Sequence, residues 1–147
     1  MKPSPCDFTT NPRCSSAALR TMRLLAECRK SGFKVTIAVL DNRGGTKVDL
    51  HDDGMSPHRI ENSMRKTYTA LTYRVASVEI GKRIVANPAL SGILHLDRIT
   101  TAEGGLPIVA GKDLVGSIGV SGAPGGDKDA VCAQAGIDRI AKGPGGG

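Results

Sequence analysis

Aromatic side chains are scarce in this sequence. Its 147 residues include no tryptophan, two phenylalanines (Phe8 and Phe33) and two tyrosines (Tyr68 and Tyr73). Proteins that bind single-stranded DNA or RNA stack the bases on aromatic rings that lie among basic residues. This chain lacks that pattern, although its formal net charge is +6. Its basic residues are scattered, as on a solvated surface. We therefore expect no nucleic-acid partner.

Long apolar runs are missing as well. No stretch approaches the roughly 18–20 apolar residues that a membrane-spanning helix needs. The N-terminus also lacks the apolar core that is typical of a signal peptide. The sequence therefore predicts a cytoplasmic protein that does not enter a membrane.

The cysteines lack the spacing of a metal or redox motif. Cys6, Cys14, Cys28 and Cys132 include no C-x-x-C pair, which excludes zinc ribbons and thioredoxin-like sites. Free thiols in a reducing cytosol are the expected state. A bridge between Cys6 and Cys14 is the alternative.

Hydrophobic periodicity predicts an α+β fold. In chain order, the sequence predicts a helix from Ser15 or Ser16 to Ser31, a hairpin of 33–40 and 46–50, helices that begin at Pro57 and Ser77, a hairpin of 106–110 and 114–121, and a helix over 127–141. Residues 93–99 are interpreted as a short edge strand or an ordered loop. Tight turns require antiparallel pairing, so we expect an antiparallel sheet of about five strands with helices packed on it.

We interpret residues 15–141 as a single domain. Residues 1–14 contain three prolines and show no periodicity, which predicts a flexible N-terminal arm. Residues 142–147 are mostly glycine, which predicts a flexible tail.

Glycine-rich segments near the second hairpin carry the first functional signal. Phosphate-binding loops and dinucleotide fingerprints are absent, and the nucleophile-elbow pattern fails because residue 123 is alanine. Gly116 and Gly119 are costly inside a strand, which predicts close approach by another backbone or by a ligand. The backbone N–H groups of Ser121 and Gly122 then suit an anion, or they form a tight corner without a ligand.

Four motifs resemble the HbpS/GlcG family, in the same order along the chain. They are 39–45 in the first hairpin, 66–70 in the long helix, the Gly-Gly-x-Pro turn at 104–108, and 116–122 followed by Asp127. The resemblance spans roughly residues 15–140 and implies the same fold. The family includes haem-binding proteins, a module fused to a corrinoid adenosyltransferase, and proteins encoded beside glycolate and diol metabolism. Oligomers are common in it, so the resemblance implies a homo-oligomer.

The segment 51–59 departs from the family pattern. His51-Asp52-Asp53-Gly54 replaces the usual Arg-Met-Asp-Gly, and Arg59 stands where the family usually has serine. Val75-Ala76 replaces a Pro-Thr pair after the long helix. These changes lie next to the expected pocket, so we expect them to alter the identity of the ligand.

The candidate catalytic residues are Glu103, Lys66 and His58. Glu103 precedes two glycines and is a candidate acid or base. Lys66 binds a ligand carboxylate or pairs with an acidic residue. The expected ligand-binding positions are Tyr68, Thr69, Gly104, Gly105, Pro107, Ser121 and Gly122.

Three histidines are candidate ligands of haem iron, namely His58, His51 and His95. His58 is favoured because it lies in the first turn of a helix, where a positive charge is disfavoured and the imidazole stays neutral. His51 with Asp52 and Asp53 is a candidate site for a divalent ion, or else an ordinary turn.

Two functions follow from these residues. The first is binding of haem or a related tetrapyrrole in a homo-oligomer. The alternative is a cofactor-independent lyase or isomerase that acts on a small oxygenated or carboxylated substrate through Glu103, His58 and Lys66. A scaffold without a small ligand is a third interpretation.

Overall fold

The computed structural model describes residues 17–141. Its elements are helix α1 (Ala17–Lys30), strands β1 (Thr36–Asp41) and β2 (Thr46–His51), helices α2 (Pro57–Tyr73) and α3 (Ser77–Ala86), a 3-10 helix (Pro88–His95), strands β3 (Gly105–Ala110) and β4 (Asp113–Ser121), and helix α4 (Gly126–Ala141). The predicted arm at 1–14, the tail at 142–147, and the bridge between Cys6 and Cys14 lie outside the described residues.

The predicted α+β class and antiparallel sheet are confirmed, but the expected strand number is wrong. The described residues form a sheet of four strands rather than about five, in the order β2-β1-β4-β3. No strand forms over 93–99: the 3-10 helix ends at His95, and 96–99 form a turn and loop, as in the alternative prediction of an ordered loop. The Asn87 side chain accepts a hydrogen bond from the N–H of Ala89 at 3.3 Å, and Pro88 begins the 3-10 helix. Short-range hydrogen bonds then occupy the backbone groups that an edge strand would offer to a neighbour.

The two faces of the sheet differ in chemistry. Along β4, Ile118 and Val120 belong to an aliphatic core that also includes residues of α1 and α4. Ser117 points to the opposite face, where it donates a hydrogen bond to the Thr67 carbonyl oxygen of α2 at 2.9 Å. Because side chains alternate along a strand, Gly119 and Ser121 share the α2 face. Helix α2 therefore packs on a surface of small and polar side chains.

The close approach predicted at Gly119 and Gly116 is confirmed. A Cβ at Gly119 would lie 2.7 Å from the backbone nitrogen of Thr67 in α2. A Cβ at Gly116 would collide with the carbonyl oxygen of Leu40 in β1. Both glycines therefore bring backbones together, and neither position leaves space for a ligand.

The expectation of free thiols is wrong for two of the four cysteines. Cys28 near the end of α1 and Cys132 in α4 form a disulfide, with 6.1 Å between their Cα atoms. Both side chains are buried in the aliphatic core. Sequence spacing did not reveal this pair because the two residues are 104 positions apart.

Candidate functional site

A polar cleft of about 410 Å³ lies where the first turns of α2 and α4 meet the end of β4. Helix α2 contributes His58, Arg59 and Asn62 to its lining. Glu103 lines it from the segment before β3, and Ser121 from the end of β4. The volume falls in the range of small-molecule sites, roughly 300–1,000 Å³. The cleft is therefore large enough to be a binding site.

Lys66 and Asp129 form a buried ion pair that lines the cleft. The Lys66 Nζ atom lies 2.8 Å from Asp129 Oδ2 and donates to the carbonyl oxygen of Val120 at 2.9 Å. Only 2% of Lys66 and 3% of Asp129 is exposed. Of the two roles predicted for Lys66, pairing with an acid is the one that its contacts favour.

The Asp129 carboxyl is also held by backbone groups. Its Oδ1 accepts a hydrogen bond from the N–H of Ala123 at 2.9 Å. Burial raises the pKa of Asp129 above its usual range, and the hydrogen bond and charge of Lys66, with the N–H groups of Ala123 and Gly122, offset this only in part. The carboxyl therefore accepts a proton more readily than an exposed aspartate does.

The absence of a side chain at Gly104 leaves room for this ion pair. A Cβ at Gly104 would lie 3.0 Å from Lys66 Nζ, 2.9 Å from Asp129 Cβ and 2.5 Å from the carbonyl oxygen of Val120. A Cβ at Gly105 would collide with the backbone of Lys66. Both glycines are buried, so they support Lys66 and do not line the cleft.

His58 and Arg59 occupy the exposed rim of the cleft on the first turn of α2. Ser56 precedes this helix in an extended conformation and Pro57 begins it, as the sequence predicts. The Arg59 Nη1 atom donates to the carbonyl oxygen of Gly122 at 3.1 Å. This bond links α2 to the turn between β4 and α4.

Ser121 and Gly122 line the opposite wall, together with Gly125 and Gly126 at the start of α4. Ser121 is 3% exposed. Its side chain forms no hydrogen bond with any residue of the range 17–141. The predicted ligand-binding role of Ser121 and Gly122 remains a proposal that their position favours, but the Gly122 N–H that was predicted to face an anion donates to the Asp129 carboxyl.

Other predicted site residues lie outside the cleft. The Arg98 guanidinium covers the Tyr68 ring at 4.1 Å, and the Thr69 hydroxyl oxygen accepts a hydrogen bond from the N–H of Thr100 at 3.0 Å. Pro107 lies within β3. The helical signature at 66–70 therefore contributes Lys66 to the cleft and places Tyr68 and Thr69 against the segment before β3.

The two remaining histidines are also exposed, but neither lines the cleft. His51 ends β2 and His95 ends the 3-10 helix. Beside His51, the Asp52 carboxylate accepts from the N–H of Val35 at 2.9 Å and pairs with Arg29. Across the described part of the chain, no group of three histidine, cysteine or acidic side chains is placed to hold a metal ion. Asp52 thus joins β2 to α1 instead of forming the proposed ion site.

Sequence reasoning did not identify Asp129 as a site residue. Ala133 of α4 belongs to the aliphatic core, and Asp129 lies four positions earlier on that same face. This spacing was a usable signal for an inward-facing carboxylate. Arg59 was noted as a departure from the family but was not named as a site residue.

Between residues 17 and 141, no helix is both long and apolar enough to cross a membrane.

The family model described as haem degrading protein HbpS-like matches residues 15–138.

Solved structures share the fold. HbpS of Streptomyces reticuli, as a double mutant, is 34% identical with a TM-score of 0.75, and the match covers 84% of each chain. Protein ORFY of Klebsiella pneumoniae is 23% identical with a TM-score of 0.80, over 86% of this chain and 89% of that one. PduOC in complex with haem is 22% identical with a TM-score of 0.74, over 82% of this chain and 88% of that one.

Proposed function

The chain belongs to the HbpS-like family, and from this premise we propose that it binds haem or a related tetrapyrrole at the cleft between α2 and α4. His58 is the proposed axial ligand. Arg59, its neighbour on the rim, is the proposed partner of a haem propionate.

The observation that carries this proposal is the position of His58. Among the three histidines of the chain, His58 alone lines the cleft, and its side chain is exposed. It lies in the first turn of α2. An accessible imidazole is a common ligand of iron.

The donor set at the rim fits the polar parts of haem. An imidazole serves as an axial ligand, and a guanidinium matches the planar geometry of a carboxylate. When bound, the iron would supply redox chemistry that no side chain of the cleft offers. The contribution of this chain would be to ligate the iron and to orient the propionates.

A haemin titration followed by the Soret band tests the proposal. We expect a shifted Soret band in the wild type and the loss of this shift in His58→Ala. His51→Ala and His95→Ala are matched controls, because both remove an exposed histidine outside the cleft. A wild type without a Soret shift, or a His58→Ala variant that behaves like the controls, would overturn the proposal.

We further propose that the chain acts as a homo-oligomer. The membership of the family supports this. Sedimentation of the full chain tests the proposal, and a single species at the monomer mass would contradict it.

A second candidate function is proton transfer on a small carboxylated or oxygenated substrate. Glu103 lines the cleft near the buried Lys66–Asp129 pair. An ammonium group has three N–H donors, and Val120 and Asp129 engage two of those of Lys66. The third would be available to stabilise a developing enolate, while Glu103 or His58 would move the proton.

Deuterium exchange at the carbon next to a carboxylate, followed by NMR, tests this second function. We expect exchange in the wild type and its loss in Glu103→Gln. Glu79→Gln is the control, because Glu79 lies on α3 and pairs with Lys82 outside the cleft. Exchange that continues unchanged in Glu103→Gln, or that never occurs, would argue against an enzyme.

A further inference from the structure

We infer that the cleft contains a carboxylate-binding subsite between Ser121 and Arg59. This inference deepens the proposed function, because it assigns residues and a chemical group to one part of the same cleft. A haem propionate and a free small carboxylate present the same two oxygens, so the experiment below distinguishes these two sources.

The first observation is the side chain of Ser121. It lines the cleft although only 3% of the residue is exposed, and it has no hydrogen-bond partner within residues 17–141. A buried hydroxyl without a partner is unfavourable. By contrast, the hydroxyl of Ser117, two positions earlier on the same strand, forms hydrogen bonds with both the hydroxyl and the carbonyl oxygen of Thr67. A ligand oxygen in the cleft would supply the partner that Ser121 lacks.

The second observation is the charge of Arg59 on the facing wall. One of its N–H groups donates to Gly122, and the arginine forms no ion pair with any acidic side chain of the described range. A guanidinium has five donors, so several remain for a ligand. Lys66, the other cation of the cleft, is compensated by Asp129. Arg59 is therefore the source of uncompensated positive charge.

The start of α4 adds to this field. Gly125 and Gly126 line the cleft, and the first N–H groups of a helix have no partners within the helix. These groups carry a partial positive charge that favours anions. A Cβ at Gly126 would lie 2.8 Å from Glu103 Cβ. The glycine thus makes room for Glu103 beside this end of the helix.

Glu103 limits what the subsite accepts. Its carboxylate lines the same cleft and repels an anion that approaches it. A ligand therefore places its carboxylate toward Arg59 and Ser121, away from Glu103. Glu103→Gln should accordingly raise the affinity for a simple carboxylate, which is opposite to the effect of changing Arg59.

The experiment uses the full chain and two probes. Sodium propionate is titrated and followed by amide NMR shifts, and haemin is compared with haemin dimethyl ester by Soret titration. We expect propionate to shift the amide signals of Gly122 and Gly126, and Arg59→Gln to weaken its binding about tenfold, as expected for loss of a charged hydrogen bond. Arg83→Gln should have no effect, since Arg83 is an exposed arginine of α3 outside the cleft.

Ser121→Ala separates binding from folding. We expect it to weaken propionate binding roughly threefold to tenfold without lowering the midpoint of thermal unfolding, because its hydroxyl has no partner to lose. Unchanged propionate binding in both Arg59→Gln and Ser121→Ala would overturn the inference.

The two probes also separate this inference from the haem proposal. Propionate binding that depends on Arg59, in a protein that gives no Soret shift, would support the subsite with a free carboxylate as its ligand and remove haem. Haemin and its dimethyl ester binding equally well, without propionate binding, would support haem and overturn the subsite. Haemin that binds more tightly than its ester, with the difference lost in Arg59→Gln, would identify a haem propionate as the ligand.

Discussion

The ammonium group of Lys66 and the carboxylate of Asp129 lie 2.8 Å apart and join helices that pack on opposite faces of the sheet. Lys66 belongs to α2, on the small and polar face, and Asp129 to the first turn of α4, on the aliphatic face. Gly104, the residue before β3, lies beside both side chains. One buried ion pair thus fixes the relative position of the two helix ends that form the cleft.

Removing one partner of this pair should be strongly destabilising. Lys66→Met leaves the Asp129 carboxylate buried without its cation, and we expect the free energy of unfolding to fall by about 3–5 kcal/mol. The double variant Lys66→Met/Asp129→Leu should recover much of this loss, because no charge remains buried. Urea denaturation measures both. Lys82→Met, which breaks an exposed pair with Glu79, is the control and should leave stability nearly unchanged.

Gly104→Ala should disrupt the same pair from the backbone side. The new Cβ would lie 2.5 Å from the Val120 carbonyl oxygen. Gly104 also has φ +128°, a backbone conformation that residues with a side chain rarely adopt. We expect a loss of roughly 3 kcal/mol or more in the free energy of unfolding. Gly92→Ala is the matched control, since nothing lies within 4 Å of a Cβ there. Equal stability of these two variants would contradict the role assigned to Gly104.

The first hairpin should be sensitive to acid through Asp41. Partial burial favours a higher pKa, but hydrogen bonds from the N–H groups of Gly45 and Arg43, with the charge of Lys47, outweigh it and lower the pKa of Asp41. A carboxyl with a lowered folded-state pKa stabilises the fold above its unfolded pKa of about 3.9 and loses this effect as pH falls further. Wild type should exceed Asp41→Asn in stability at pH 7, and the difference should shrink below about pH 4.

Reduction of the Cys28–Cys132 disulfide should lower stability. The bond closes a loop across 104 residues, and loss of such a bond typically costs roughly 2–5 kcal/mol. We expect dithiothreitol to lower the thermal midpoint of the wild type and to have no effect on Cys28→Ala/Cys132→Ala. An equal response of the two proteins to the reductant would show that the bond does not stabilise the fold.

Local signals in the sequence predicted most of the elements. Ser56-Pro57 marks the start of α2, and the turns at 41–45 and 111–113 predict the two hairpins. For 93–99 the sequence left a short edge strand and an ordered loop open, and the strand does not form. Residues 93–95 end the 3-10 helix, and 96–99 form a turn and loop. Periodicity could not separate these cases, because short-range hydrogen bonds such as that from the N–H of Leu96 to the Ile93 carbonyl oxygen decide between them.

The candidate site was only partly predictable, because local motifs do not identify contacts between residues far apart in the sequence. His58, Lys66, Glu103, Ser121 and Gly122 were named from motifs, and all five line the cleft. Asp129 was not named. Its spacing from Ala133 indicates an inward-facing carboxylate, but its partner Lys66 is 63 positions away, and no local pattern identifies that partner. Tyr68 and Thr69 share a motif with Lys66, but successive residues of a helix point in different directions.

The disulfide also determines how the protein would respond to proteolysis. The 3-10 helix at Pro88–His95 has no buried residue and lies between the two cysteines in sequence, so a protease that cuts there leaves two fragments joined by a covalent bond. Such a nicked protein would migrate as one species without reductant and as two with it. The ends of the domain would stay tethered after the chain between them was broken, and the cleft at the start of α4 could persist in a two-chain molecule.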